Sequence, residues 1–135
     1  ALKYMIPQEH GRIMSVSSMY GKVVLATQAP YCTTKHALNG LTKVVAQEVG
    51  TLGITVHGLC PGGILTDIMQ EQGPAAAEQS GLSFEDFLTM MQAPSAIKRM
   101  NTVEDCALVA VLLASEAGAG ITGSLISIDG GQSPY

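Results

Sequence analysis

The sequence predicts an α/β fold, and within that class half of an open, doubly wound sheet of parallel strands. Three observations point there. The hydrophobic spacing switches repeatedly between the two-residue period of strands and the 3.6-residue period of helices. The intervals between strand-like runs are long enough for the crossover helices that parallel pairing requires. Charged residues make up only 13% of the 135-residue chain, against ~25% in an ordinary soluble domain. A body this small exposes a large fraction of its atoms. A surface so poor in charge is therefore expected to be covered in part, by a missing portion of the same chain or by a partner subunit.

Each element has a local justification. Residues 1–9 read as the end of a helix that stops near His10-Gly11. Residues 12–17, Arg-Ile-Met-Ser-Val-Ser, form a short strand closed by Ser17-Ser18 and Gly21, and a loop runs on to Pro30. Residues 31–49 read as a long helix, because Ala37, Leu38, Leu41, Val44, Val45 and Val49 recur at three- and four-residue steps. Gly50 and Gly53 stop it. Residues 54–59 are a second strand, closed by the turn Cys60-Pro61-Gly62-Gly63. From residue 64 to residue 100 the pattern loosens. Pro74, three alanines, Gly81 and Pro94 alternate with short amphipathic pieces, notably residues 83–91, where Ser83 and Asp86 suggest a helix start. Met69, Met90, Met91 and Met100 fall in this stretch. Flexible thioethers suit a lid over an apolar ligand, and equally the filling of gaps in an ordinary core. Residues 102–114 are a helix with Thr102 as N-cap and Glu104 and Asp105 in its first turn. Leu125–Ile128 is a last strand before Asp129-Gly130-Gly131.

Composition excludes several classes. With 11 acidic and 7 basic residues the formal net charge is −4, and no basic stripe is present for nucleic acid. No apolar run is long enough to span a bilayer, and the N-terminal residues do not read as a secretory signal. Cys32, Cys60 and Cys106 are an odd number at wide spacings, neither a disulfide framework nor a zinc pattern. They read as small hydrophobes in a reducing, cytoplasmic setting. His10, His36 and His57 lack metal-ligand spacing, so no metal is expected. Residues 118–123 match GxGxxG letter by letter. They follow a helix and precede a strand, the reverse of the context that binds a pyrophosphate.

The chemistry concentrates at three places. Tyr31 and Lys35 stand four apart at the start of the long helix and so share a face. A phenol ionises near ~10 in isolation, and a neighbouring cation favours its ionised form and makes it a usable acid or base. The same spacing also occurs on ordinary helix surfaces. Ser18 shifts the balance, because it lies at the carboxyl end of the first strand, where open α/β sheets bind their ligands. Pro61-Gly62-Gly63-Ile64-Leu65-Thr66 ends the second strand at the same sheet edge, with glycines that allow close backbone approach and a hydroxyl on Thr66.

Together, Gly11-Arg12-Ile13 with Ser17-Ser18, Tyr31-Cys32-Thr33-Thr34-Lys35, the 61–66 turn, Ile121-Thr122-Gly123 and Asp129-Gly130-Gly131 resemble the short-chain dehydrogenase/reductase family. The resemblance covers essentially the whole chain and matches the C-terminal half of the family. It implies the C-terminal half of a doubly wound parallel-sheet Rossmann fold, with a lid at about residues 64–100. It also implies an oxidoreductase that uses NAD or NADP to interconvert a secondary alcohol and a ketone. By resemblance, Ser18 positions the substrate oxygen, Tyr31 is the acid/base, and Lys35 lowers the tyrosine pKa and binds the nicotinamide ribose. Pro61 and Gly62 lie against the nicotinamide, with Ile64 and Thr66 near its carboxamide. Tyr20 and Gln28 line the substrate pocket.

The family's glycine-rich phosphate turn, its NAD-versus-NADP selector, its Asn-Ala-Gly strand and its helix asparagine have no counterpart in these residues. The dinucleotide-binding half is therefore expected to be absent from the chain. Substrate features resemble 3-hydroxybutyrate dehydrogenases and 3-oxoacyl reductases alike, though Gln28 replaces a lysine that often binds the acid in the former group. The resemblance also implies a homotetramer or homodimer packed through residues 31–49 and 102–128. The alternative is a non-catalytic fragment or a binding or regulatory module; the presence of Ser18, Tyr31 and Lys35 together argues against it.

Overall fold

The computed structural model describes residues 1–133. Helix α1 (Leu2–Gln8) leads into strand β1 (Gly11–Val16), and a single 3-10 turn (Met19–Gly21) precedes the long helix α2 (Ala29–Val49). Strand β2 (Ile54–Pro61), helices α3 (Asp67–Gln79), α4 (Phe84–Gln92) and α5 (Val103–Ala114), and strand β3 (Leu125–Ile128) follow. The strands form one parallel sheet in the order β1-β2-β3. Gly11 pairs with Ile54 and Val16 with Leu59 on one side of β2, and Gly58 with Leu125 and Pro61 with Ile128 on the other.

Because β2 is central and parallel, both of its faces need cover, which explains why Ile54 to Cys60 are all buried. Ile54 and Val56 pack against Ala46 and Val49 of α2, with Leu2 and Met5 of α1 at the margin. Thr55 and His57 point the other way, as alternation along a strand requires. Arg12, register partner of Thr55, reaches from that second face to Glu116 just beyond α5. The two helical layers thus lie on opposite faces, as doubly wound sheets demand.

The structure departs from the sequence reading in four places. Helix α2 begins at Ala29 rather than at residue 31, because Pro30 sits in its first turn with a backbone preset for helix. Leu41 and Val44, expected on the buried stripe, are exposed, while Asn39 and Thr42 are buried. The reason is a close approach: a Cβ on Gly58 would lie 2.8 Å from Leu125, with Asn39 and Thr42 next nearest at 3.5 and 3.8 Å. Small and polar side chains fill that gap. Pro61 belongs to β2, paired with Ile128, rather than to the turn. Residues 67–79 form a regular helix despite Gly73 and Pro74.

That helix is explained by its neighbours. Thr66 caps it, its hydroxyl accepting the Met69 N–H at 3.2 Å, and Gly73 lies directly under the Phe84 ring, where any Cβ would collide. Ser83 caps α4 and Thr102 caps α5, the latter in a reciprocal capping box with Asp105. The whole excursion from Ile64 to Asn101 starts and ends at one place. Ile64 and Asn101 form a parallel bridge, and the Asn101 amide donates to the Ile128 carbonyl at 2.9 Å.

Candidate active site

The site forms where the strands of a parallel sheet end and their chains turn outward. Just beyond β1, Ser18 is buried and its hydroxyl accepts the Tyr20 N–H at 3.1 Å, capping the 3-10 turn. That turn is fastened to α2. The Asn39 amide donates to the Gly21 carbonyl at 2.8 Å, and the Ser17 hydroxyl donates to the Lys35 carbonyl at 3.3 Å. Gly21 has no room for a side chain, since a Cβ would lie 2.8 Å from the Lys35 carbonyl oxygen. These contacts hold the Ser18 segment beside the first turns of α2.

Tyr31 opens α2 with its ring 42% exposed and its neighbour Tyr20 edge-on, the centroids 6.5 Å apart. The Lys35 ammonium stands 5.5 Å from the Tyr31 ring centroid and donates to the Val16 carbonyl at 2.9 Å. The lysine is thus anchored to the end of β1 while remaining beside the phenol. Burial, then the neighbouring Cys32 and Tyr31, push the Tyr20 phenol up from its usual value. Tyr20 therefore keeps its proton at neutral pH.

A cavity of about 520 Å³ opens in front of these residues. Ser18, Tyr20, Gln28, Tyr31 and Gly62 all line it, so five of the expected site residues meet in one space. Lys35 stands behind Tyr31 rather than on the wall. Pro61, Ile64 and Thr66 are not on the wall either: Pro61 is in β2, Ile64 is in the bridge to Asn101, and the Thr66 hydroxyl caps α3.

Of the other walls, three methionines belong to the group noted between residues 64 and 100, while Met19, Leu25, Phe87 and Gln132 were not expected from spacing. Met19 and Leu25 come from the β1–α2 connection, Met69 from α3, and Phe87, Met90 and Met91 from α4. Gln132, beyond β3, also lines the cavity and donates to the Ser95 hydroxyl at 2.7 Å. Its signal in the sequence is positional: the third parallel strand must end at the same sheet edge as the other two. The turn that carries it is tight. Asp129 accepts the Gly131 and Ser133 N–H groups at 2.9 and 3.0 Å, and Gly130 and Gly131 take φ values of 67° and 85°.

Gly62 and Gly63 line one edge of this cavity, where a Cβ would lie 2.9 Å from Asp129 on the first and 2.9 Å from Met100 on the second. A diphosphate does not fit the candidate turn. Residues 118–123 run from a 3-10 turn (Glu116–Gly118) into β3 and open no helix. Among the described residues, no group of three or more His, Cys, Asp or Glu side chains is placed to hold a metal ion, and no helix is long and apolar enough to cross a membrane.

A parallel sheet wrapped on both faces, with a cavity at the carboxyl ends of its strands, defines a Rossmann-type protein. Residues 1–133 match the family model described as enoyl-(acyl carrier protein) reductase. The chain belongs to the short-chain dehydrogenase/reductase family. It is 38% identical to a D-beta-hydroxybutyrate dehydrogenase of Rhizobium meliloti over 122 residues, which are 90% of this chain and 47% of that protein. The fold matches the crystal structure of sorbitol-6-phosphate 2-dehydrogenase from Erwinia amylovora with a TM-score of 0.90 at 32% identity, covering 96% of this chain and 52% of the other. An actinorhodin polyketide ketoreductase solved with NADPH matches with a TM-score of 0.89 at 27% identity, covering 97% of this chain and 50% of the other. The chain spans about half the length of the curated relatives it matches.

Proposed function

We propose that this chain is the catalytic, C-terminal half of an NAD(P)-dependent oxidoreductase that interconverts a secondary alcohol and a ketone. The observation that carries this reading is the convergence of Ser18 and Tyr31 on one cavity, with the Lys35 ammonium 5.5 Å from the Tyr31 ring. In the complete protein the adenosine and diphosphate contacts come from residues outside this chain. The half-length match to relatives and the NADPH of the polyketide ketoreductase support that division.

A nicotinamide held at the Gly62-Gly63 edge of the cavity would supply or accept the hydride at the substrate carbon. Everything else falls to this chain's side chains. In the reductive direction the Ser18 hydroxyl donates a hydrogen bond to the substrate oxygen and fixes its position. Tyr31 delivers its phenolic proton to that oxygen as negative charge develops on it. Lys35 then stands beside the resulting phenolate as its counter-charge, held in place by the Val16 carbonyl. In the oxidative direction Tyr31 takes the alcohol proton. The methionine-bearing helices α3 and α4 close the cavity against water. Packing as a homodimer or homotetramer fits the exposed Leu41 and Val44 of α2 and Leu108, Val111 and Leu112 of α5.

The deciding experiment is Tyr31→Phe in the complete protein. Turnover should fall at least about 100-fold, the usual worth of a positioned proton donor, while titrated cofactor affinity is retained. Rates near wild type would remove Tyr31 from the chemistry and the reading with it.

A further inference from the structure

Among the described residues that line the cavity, none has a charged side chain. Its polar groups are neutral: the Ser18 hydroxyl, the Tyr20 and Tyr31 phenols, and the Gln28 and Gln132 amides. The cations nearest in sequence to its walls are committed elsewhere. Lys22 donates to the Ser127 hydroxyl at 2.7 Å, and Lys98 to the Ala93 carbonyl at 2.9 Å. Arg99 forms a two-point contact with Asp105 at 2.6 and 2.9 Å. Lys35 lies behind Tyr31, tied to Val16. A carboxylate or phosphate entering this space would shed its water without meeting a counter-charge, a loss that apolar contact does not offset.

The remaining wall is thioether and hydrocarbon. Met69 projects from α3, Phe87, Met90 and Met91 from α4, and Met19 from the turn after Ser18. The site therefore has a polar pole at Ser18 and Tyr31 and an apolar pole on the excursion between β2 and α5. Methionine adapts its shape to different chains without leaving voids, so this wall favours a class of chains over a single one.

We infer that the site selects an uncharged ketone or secondary alcohol with an aliphatic or aromatic chain, and that Met69, Met90 and Met91 are its specificity-determining residues. The inference rests on the oxidoreductase reading above and assigns that site its substrate class.

The test compares the complete protein, loaded with its nicotinamide cofactor, on methyl 3-oxoesters and the free 3-oxoacids of equal chain length. The kcat/KM for esters should exceed that for acids at least about tenfold, from the cost of desolvating a carboxylate that meets no counter-charge. It should also rise about fourfold per added methylene until the cavity is full, from a transfer free energy of about 0.8 kcal/mol per group. Met91→Lys should narrow the ester-to-acid ratio by raising the acid rate. Met91→Ala should flatten the chain-length slope. Acids turned over as well as esters, or a slope unaffected by both variants, would overturn the substrate class alone. No turnover of any compound in either series, in either direction, would overturn the oxidoreductase reading and this inference together.

Discussion

Asn39 offers the sharpest test of how the site is held together. It lies one turn beyond Lys35 on the sheet-facing side of α2 and is 4% exposed. Its amide donates to the Gly21 carbonyl, and its oxygen accepts the Cys60 thiol at 3.9 Å. Asn39→Asp keeps the volume but exchanges the donor for a second oxygen. When ionised, the introduced carboxylate faces the Gly21 carbonyl with no proton to share, and losing that bond in a buried place costs about 1–3 kcal/mol. When protonated, it can donate to the same carbonyl and restore the contact. The folded state therefore holds that proton more firmly than the unfolded chain, whose carboxyl ionises near ~3.9. A raised folded pKa gives stability that is complete below about pH 4 and is lost as pH rises through the folded value. A deficit of about 2 kcal/mol should accordingly develop over about 1.5 pH units above that point. Urea denaturation of wild type and variant, at several values between pH 4 and pH 8, measures the difference at each pH. A deficit below about 0.5 kcal/mol at pH 7, or one that does not change with pH, would refute the argument that Asn39 anchors the turn at Ser18.

Two further outcomes follow from the sheet. His57 is fully buried, and among the described residues neither of its ring nitrogens has a hydrogen-bond partner. Burial, and then the Arg12 guanidinium on the same face, hold its pKa below the ordinary 6.5. The unfolded chain takes up this proton first, so His57 should make wild-type stability fall as pH drops below 6.5. In His57→Leu that part of the urea-midpoint profile should be flat; an unchanged slope would clear His57 of the effect. Gly53 has φ 69°, and a Cβ there would strike the Glu9 carbonyl oxygen. Gly53→Ala should therefore lower stability by about 1 kcal/mol or more, read as a depressed melting temperature, because the strain and the collision act together.

Element order was readable from local punctuation. Residues 54–59 read as a strand closed by the turn at Cys60-Pro61-Gly62-Gly63, and residues 102–114 as a helix opened by the Thr102 cap. Helix α3 escaped notice because Gly73 and Pro74 are local breakers. What sustains the helix is tertiary: the Phe84 ring needs a residue without a side chain at position 73. The buried stripe of α2 was misread for a related reason. Its apolar residues occupy more than one face, and the tight approach at Gly58 selects Asn39 and Thr42 for the interior, while Ala46 packs in the core with Ile54 and Val56. Ser18 and Tyr31 could be singled out because strand ends and helix starts are local features. Met69, Met90, Met91 and Gln132 reach the same cavity from distant segments, and no spacing along the chain encodes that meeting.

The bridge between Ile64 and Asn101 separates the excursion from the sheet as a socket separates a fitting from its mount. The two ends of the excursion meet at this bridge, secured by the Asn101 amide on Ile128, and Ala96 and Ile97 are fastened nearby, their N–H groups donating to the Gly130 carbonyl at 2.8 and 3.0 Å. The entropy of closing a loop grows only with the logarithm of its length, about 0.6 kcal/mol for each doubling. An insert of very different size and sequence could therefore occupy the same mount with Ser18, Tyr31 and Lys35 undisturbed. The methionine wall of the cavity lies within the excursion, and Ser18, Tyr31 and Lys35 lie outside it.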